Sequence, residues 1–161
     1  FDGTFMNNYK KPIGFIGIGL MGFSLVKRLL EVNYSINAYD KNEKRLELFQ
    51  NENKVSICIN PAEISQTCDF IFICVDKTEN VSDVIFGNNG IVQNASKNTI
   101  IIDLSTTLAD ETINLSKRIS AEKGSSWVDA PVSGGPEKAL DGFLRSNNFL
   151  KQDLSKIFLL S

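Results

Sequence analysis

Short, almost wholly apolar runs alternate along this chain with segments whose apolar residues return every three to four positions. The first run, residues 12–17, has strand-type composition and ends among glycines. From Leu20 the period changes: Gly22, Leu25, Val26, Leu29 and Leu30 fall on one face at helical spacing, while Ser24, Lys27, Arg28 and Glu31 fall elsewhere. That pattern predicts an amphipathic helix ending near Asn33. The alternation then repeats, with a strand over 35–39, a helix over 42–50 and a short strand over 55–58. Asn60 and Pro61 open the next helix, because the missing proline N–H has no helical partner at that position anyway. Residues 69–75 are apolar after Asp69, as in a strand covered on both faces, and predict the central strand. A helix over 79–86, a Gly/Asn turn over 87–90 and a buried strand over 99–103 follow. The helix over 108–123 has Thr107 and Asp110 at capping spacing and Gly124 as its stop. A strand over 127–131, a short helix over 137–140 and a helical pattern over 151–160 complete the chain.

This order predicts an α/β domain of Rossmann type, a doubly wound, mainly parallel sheet with helices on both faces and right-handed crossovers. The 161 residues suit one domain. Residues 1–11 read as a leader or as a scar or translated upstream sequence, with Met6 a candidate start, and 12–161 as the NAD(P)-binding domain.

The chemistry concentrates where the first strand meets the first helix. Gly17-Ile18-Gly19-Leu20-Met21-Gly22 fits G-x-G-x-x-G, and it lies between a strand and a helix, the context that gives the pattern its meaning. Gly17 makes the tight turn, Gly19 admits a pyrophosphate to the backbone, and Gly22 allows close packing of helix on strand. Asp40 ends the second strand 18 residues beyond Gly22, near the spacing of an acid that accepts hydrogen bonds from an adenosine ribose. Such an acid repels a 2′-phosphate, so NAD is preferred, with NADP possible because Lys41 and Lys44 soften the discrimination. The carboxyl ends of parallel strands form the ligand crevice, which gathers Val75 and Asp76, Ser105 and Thr106, and Ser133, Gly134 and Gly135 on one rim. The hydroxyls and N–H groups of Ser105 and Thr106 suit a ribose or the nicotinamide side, and the Ser133 loop suits a carboxylate.

Composition narrows the choices. Histidine is absent, which removes Ser/His/Asp and Cys/His catalysis and His-based metal sites, and no metal site is expected. With 17 basic against 19 acidic side chains and no long basic run, nucleic acid and anionic membranes are not expected partners. The apolar runs are far short of the roughly 20 residues of a membrane helix. Cys58, Cys68 and Cys74, odd in number and without CxxC spacing, read as buried free thiols of a cytoplasmic protein.

The run Ile13-Gly-Phe-Ile-Gly-Ile-Gly-Leu-Met-Gly22 together with Asp129-Ala-Pro-Val-Ser-Gly-Gly135 resembles the β-hydroxyacid dehydrogenase family, which includes 3-hydroxyisobutyrate dehydrogenase and, more distantly, 6-phosphogluconate dehydrogenase. Cys68-Asp-Phe-Ile-Phe-Ile-Cys-Val75 and Ile102-Asp-Leu-Ser-Thr106 are similar to intervening family segments, and the resemblance runs over 12–142.

The resemblance implies reversible hydride transfer between a nicotinamide cofactor and a short β-hydroxy acid. It implies NAD(P) contacts from the Gly17 to Gly22 loop, Asp40, Val75, Asp76, Asn80 and Thr106, and substrate contacts from Ser133, Gly134 and Gly135. Asp76 stands where the family commonly has proline. The family's catalytic lysine lies on a later helix in a Gly-x-x-x-Lys-x-x-Asn setting, followed by a helical domain, and neither is found in these residues. Lys138 occupies a small-residue position of the family and is not taken as a catalyst. The resemblance therefore implies the cofactor half of an enzyme, inactive alone, whose full-length relatives form homo-oligomers. The competing reading is a non-catalytic dinucleotide-binding module, a sensor or pseudoenzyme.

Overall fold

A strand that is apolar at every position must be covered on both faces, and the sheet satisfies that demand by placing such strands in its middle. The structure, a computed structural model, describes residues 9–133 together with 145–146. Its main sheet has six parallel strands: β1 (Ile13–Ile16), β2 (Ile36–Tyr39), β3 (Val55–Ile57), β4 (Phe70–Ile73), β5 (Ile100–Asp103) and β6 (Ser126–Asp129). The spatial order is β3-β2-β1-β4-β5-β6, so the wholly buried β1 and β4 lie side by side at the centre. This is the doubly wound Rossmann order expected from the alternation.

Five helices connect the strands: α1 (Leu20–Glu31), α2 (Glu43–Leu46), α3 (Pro61–Thr67), α4 (Thr78–Phe86) and α5 (Ala109–Lys123). Because side chains alternate across a strand, Phe70 and Phe72 of β4 join one core with Leu25 and Leu29 of α1 and Leu46 of α2. Ile71 and Ile73 join the other, with Ile64 of α3, Val81 and Ile85 of α4 and Ile119 of α5. Phe15 and Phe72, partners in register on β1 and β4, stack with centroids 5.9 Å apart. Full burial of each such side chain contributes roughly 1.5–3 kcal/mol.

Several element ends differ from the sequence pattern. The helix expected over 42–50 is split into α2 and a turn of 3-10 helix at Glu47–Phe49. Asn42 caps α2 by accepting the Lys44 N–H. The expected Thr107 cap of α5 does not form: Leu108 is the cap residue, without a side-chain cap bond, and its N–H goes to Thr78 Oγ1. Thr107 Oγ1 instead meets Thr112 Oγ1 at 2.6 Å. Gly124 does end α5 in the left-handed region, at φ +70. Asn60 and Glu63 form a reciprocal cap at α3, where Asn60 Oδ1 accepts the Glu63 N–H and Glu63 Oε2 accepts the Ile59 N–H.

Tyr9 and Lys11, on the leader side of the expected boundary, dock on the start of β4. The Tyr9 hydroxyl accepts the Asp69 N–H, its ring meets Phe70 edge-on, and Lys11 pairs with Asp69 at 3.0 Å. After β6, β7 (Val132–Ser133) pairs antiparallel with β8 (Arg145–Ser146). The helices expected over 137–140 and 151–160 lie outside the described residues.

Candidate functional site

The strand order reverses between β1 and β4, so the loops leaving their carboxyl ends part and open a crevice. Gly17 leaves β1 at φ +98, and a Cβ there would sit 2.1 Å from the Cys74 carbonyl oxygen. Only glycine suits both the backbone and the space. Gly22 is equally confined, since its Cβ would lie 1.9 Å from the Gly17 carbonyl oxygen, and this contact seats α1 on the turn. Gly19 is different. Its backbone is extended (φ -74, ψ -167), and the only heavy atom near a Cβ there is Arg45 Nη1 at 4.0 Å. The space above Gly19 belongs to the crevice.

Gly19 caps α1 without a side-chain hydrogen bond, and the first turn holds no acidic residue. The first-turn N–H groups and the positive end of a 12-residue helix are thus left for an anion. The cleft is about 1030 Å³. It is lined by Gly17, Gly19, Leu20, Met21, Gly22, Asp40, Val75, Asp76 and Asn80 among the residues expected at the site. Ile18 is not among them: its side chain is buried in the core and its N–H is already donated.

Asp40 receives that N–H. Its Oδ2 accepts from Ile18 N at 2.6 Å, its Oδ1 accepts from Asn42 N at 2.7 Å, and the residue is only 5% exposed. The carboxylate therefore ties the glycine loop to the start of α2 while still lining the cleft. Arg45 Nη1 lies 3.4 Å from Oδ2, with its side chain half exposed.

On the other side of the crevice Ser105 is a clamp. Its hydroxyl accepts the Val75 N–H at 3.0 Å, and its own N–H donates to Asp103 Oδ1. Ser105 is buried at 2%, so its expected contact with a ribose is corrected to a structural one. The Val75 N–H is likewise taken. Thr106 is exposed and does not line the cleft. Asn80 Nδ2 donates to Asp76 Oδ1 at 2.6 Å, which holds the two side chains together on the cleft wall.

Asp103 is fully buried, and among the described residues its Oδ2 has no hydrogen-bond partner. Burial pushes its carboxyl up to about 6, against the pull of the Ser105 hydrogen bonds. Cys74 lines the cleft and is only partly buried, a correction to the expectation of three buried thiols. Burial and then Asp103 push its thiol up to about 12, which leaves little thiolate at neutral pH.

Ser133 is the second residue of β7, and Gly134 and Gly135 lie outside the described residues. Arg45 and Asn42, with Ile59 and Pro61 opposite, line the cleft although the sequence reading did not name them as site residues. The signal for Arg45 was its place on the helix that follows Asp40, next to Lys44 and four residues beyond Lys41. Of those, Lys41 lines the cleft and Lys44 does not. Among the described residues no helix is long and apolar enough to cross a membrane, and no group of three or more acidic or Cys side chains is placed to hold a metal ion.

Residues 12–146 match the family model described as the NAD binding domain of 6-phosphogluconate dehydrogenase. Two curated relatives share about a third of their residues with this chain. The cytokine-like nuclear factor N-PAC of Pongo abelii is 34% identical over 83% of this chain and 24% of its own length. L-threonate dehydrogenase of Cupriavidus necator is 33% identical over 82% of this chain and 44% of its own length. This chain thus spans about a quarter to under half of those relatives. Among solved structures, Psf3 in complex with NADP+ and 2-OPP superposes with a TM-score of 0.81 at 24% identity, over 91% of this chain and 54% of that one. Mycobacterium tuberculosis 3-hydroxyisobutyrate dehydrogenase with L-serine gives 0.80 at 18% identity, over 93% and 52%. At these identities the two structures show the shared fold.

Proposed function

This chain belongs to the family of the NAD-binding domain of 6-phosphogluconate dehydrogenase, and from that premise we propose that it holds NAD(P) for a 3-hydroxyisobutyrate dehydrogenase-like oxidoreductase. The observation that carries the reading is the contrast within the glycine loop. Gly17 and Gly22 are filled by their surroundings, whereas the space over Gly19 is open beside an uncapped helix end. A loop built only for a turn has no need of that space.

The first-turn N–H groups of α1 would take the diphosphate charge. Asp40 retains lone pairs beyond those used by Ile18 and Asn42, and these would accept the ribose hydroxyls, favouring NAD. Leu20 and Ile59, each 82% exposed on the cleft lining, offer apolar lips to a flat base. The paired Asp76 and Asn80 present acceptors on the nicotinamide side. The nicotinamide ring, when bound, supplies the hydride chemistry, while the protein orients it. Ser133, Gly134 and Gly135 would anchor the carboxylate of a short β-hydroxy acid, the substrate class suggested by the threonate and hydroxyisobutyrate enzymes among the relatives.

Calorimetric titration of residues 1–161 with NAD and with NADP tests the cofactor reading, and absence of binding for both rejects it. We expect binding without turnover from these residues alone, because the resemblance places the proton-transferring lysine elsewhere.

A second reading, a dinucleotide-binding module without catalysis, is favoured by the N-PAC relatives, whose name is that of a nuclear factor. Assaying the product of the whole coding region with L-threonate and 3-hydroxyisobutyrate separates the two. Turnover supports the dehydrogenase, and cofactor binding with no turnover of any short β-hydroxy acid supports the module.

A further inference from the structure

The contacts that set the glycine turn begin on β5, in the interior. Asp103, the last residue of that strand, is fully buried, and its Oδ1 accepts the Ser105 N–H at 3.0 Å. The Ser105 hydroxyl accepts the Val75 N–H, also at 3.0 Å. Val75 in turn stands behind the glycine loop: its Cγ1 lies 3.1 Å, and the Cys74 carbonyl oxygen 2.1 Å, from the place a Gly17 Cβ would take. Residues 74–75 are thus the surface on which Gly17 turns, and the Val75 N–H is held there by a side chain instead of by strand pairing. Among the described residues Asp103 Oδ2 has no partner, and no cation pairs with this carboxyl. The ionisable groups that face it are Asp129, its register partner on β6, and the Cys74 thiol beyond β4, and neither brings positive charge. A buried acid with one oxygen unused costs stability that an apolar side chain of similar volume would not, so packing alone gives it no purpose.

We infer that Asp103 is a positioning residue for the dinucleotide: without touching it, Asp103 holds the Val75 segment through Ser105 and so fixes the turn that receives the diphosphate. The inference rests on the dinucleotide reading of the cleft. Hydrogen bonds to a carboxylate are stronger than those to a neutral acid, and both the N–H and the hydroxyl of Ser105 favour the ionised form of Asp103. Burial opposes that form and pushes the carboxyl up to about 6, so the hold on Ser105 slackens below that pH and tightens above it.

The test is calorimetric titration of the 161-residue chain and its Asp103→Asn, Ser105→Ala and doubly substituted variants with NAD at several pH values. Asp103→Asn keeps an oxygen for the Ser105 N–H but not the charge. At about pH 7.5 it should bind NAD about three- to tenfold more weakly than the parent, the loss of one charge-assisted contact. The parent's advantage should shrink to less than about twofold at about pH 5, where both carry a neutral group. In the Ser105→Ala background, Asp103→Asn should change affinity by less than about twofold, since its route to the loop is gone. Amide exchange followed by NMR reads the same relay without cofactor. The Val75 N–H should exchange faster in Asp103→Asn at neutral pH, while N–H groups within β4 and β5 keep their protection and so confirm folding. Unchanged Val75 exchange, unchanged NAD affinity at neutral pH, or the full effect of Asp103→Asn without the Ser105 hydroxyl would each overturn the inference and leave the cleft reading standing. So would an advantage that grows as pH falls, which would mean that the carboxyl acts directly on the bound charge. A parent chain that binds neither NAD nor NADP overturns the cleft reading and this inference with it.

Discussion

A single methyl group separates the glycines of the loop by purpose. At Gly22 it would meet the Gly17 carbonyl oxygen at 1.9 Å, a backbone atom that moves only if α1 moves. Gly22→Ala should therefore destabilise the fold by about 1–3 kcal/mol and weaken cofactor binding as a consequence. At Gly19 the same methyl group enters open space on a backbone that alanine adopts readily. Gly19→Ala should leave stability within about 0.5 kcal/mol of the parent, yet stand where the diphosphate approaches and reduce affinity by about tenfold or more. Denaturant melts beside calorimetric titrations check both. A Gly19→Ala variant that binds NAD as the parent does would mean that the space over Gly19 is not the diphosphate site.

At the level of elements, the sheet was legible because its signals are local. The apolar run at Phe70–Ile73 and the change of period at Leu20 are each decided by a few neighbouring side chains. The clamp between the loops after β4 and β5 was not legible, because it depends on Ser105 meeting Val75, 30 residues earlier in the chain. Asp40 was half legible. Its spacing from the glycines marked it as a site residue, but its bonds to Ile18 and Asn42 follow from how two loops fold together. Asp103, which accepts the Ser105 N–H, is fully buried, and its carboxyl is raised from 3.8 to about 6. In that window the folded state holds a proton that the unfolded chain has released, so stability falls as pH rises from about 4 and levels off above about 6. The contribution is on the order of 3 kcal/mol. Asp103→Asn keeps an oxygen for the Ser105 N–H and removes the titration. Denaturation at several pH values should show the parent losing stability relative to the variant across that window, and parallel profiles would contradict the assignment.

The whole molecule couples these parts through one sheet, since both walls of the cleft leave adjacent central strands. A dinucleotide that bridges the loops after β1 and β4 binds only when β1 and β4 are paired, so it binds the folded state and not the unfolded one. At a ligand concentration of 100 times Kd that preference stabilises the fold by about 2.7 kcal/mol, a rise in Tm of roughly 5–10 °C for a domain of this size. NAD should therefore raise the Tm of the 161-residue chain in a concentration-dependent way. Nicotinamide mononucleotide, which lacks the adenosine half proposed to meet Asp40, should raise it much less. The same cleft contains Cys74, so alkylation of that thiol at alkaline pH should slow when NAD is present, while the buried Cys58 and Cys68 stay slow in either case. Mass spectrometry of alkylated peptides distinguishes the three sites. Protection of Cys74 together with the rise in Tm would locate the ligand between the two loops, whereas a rise in Tm with Cys74 unprotected would place it elsewhere on the fold.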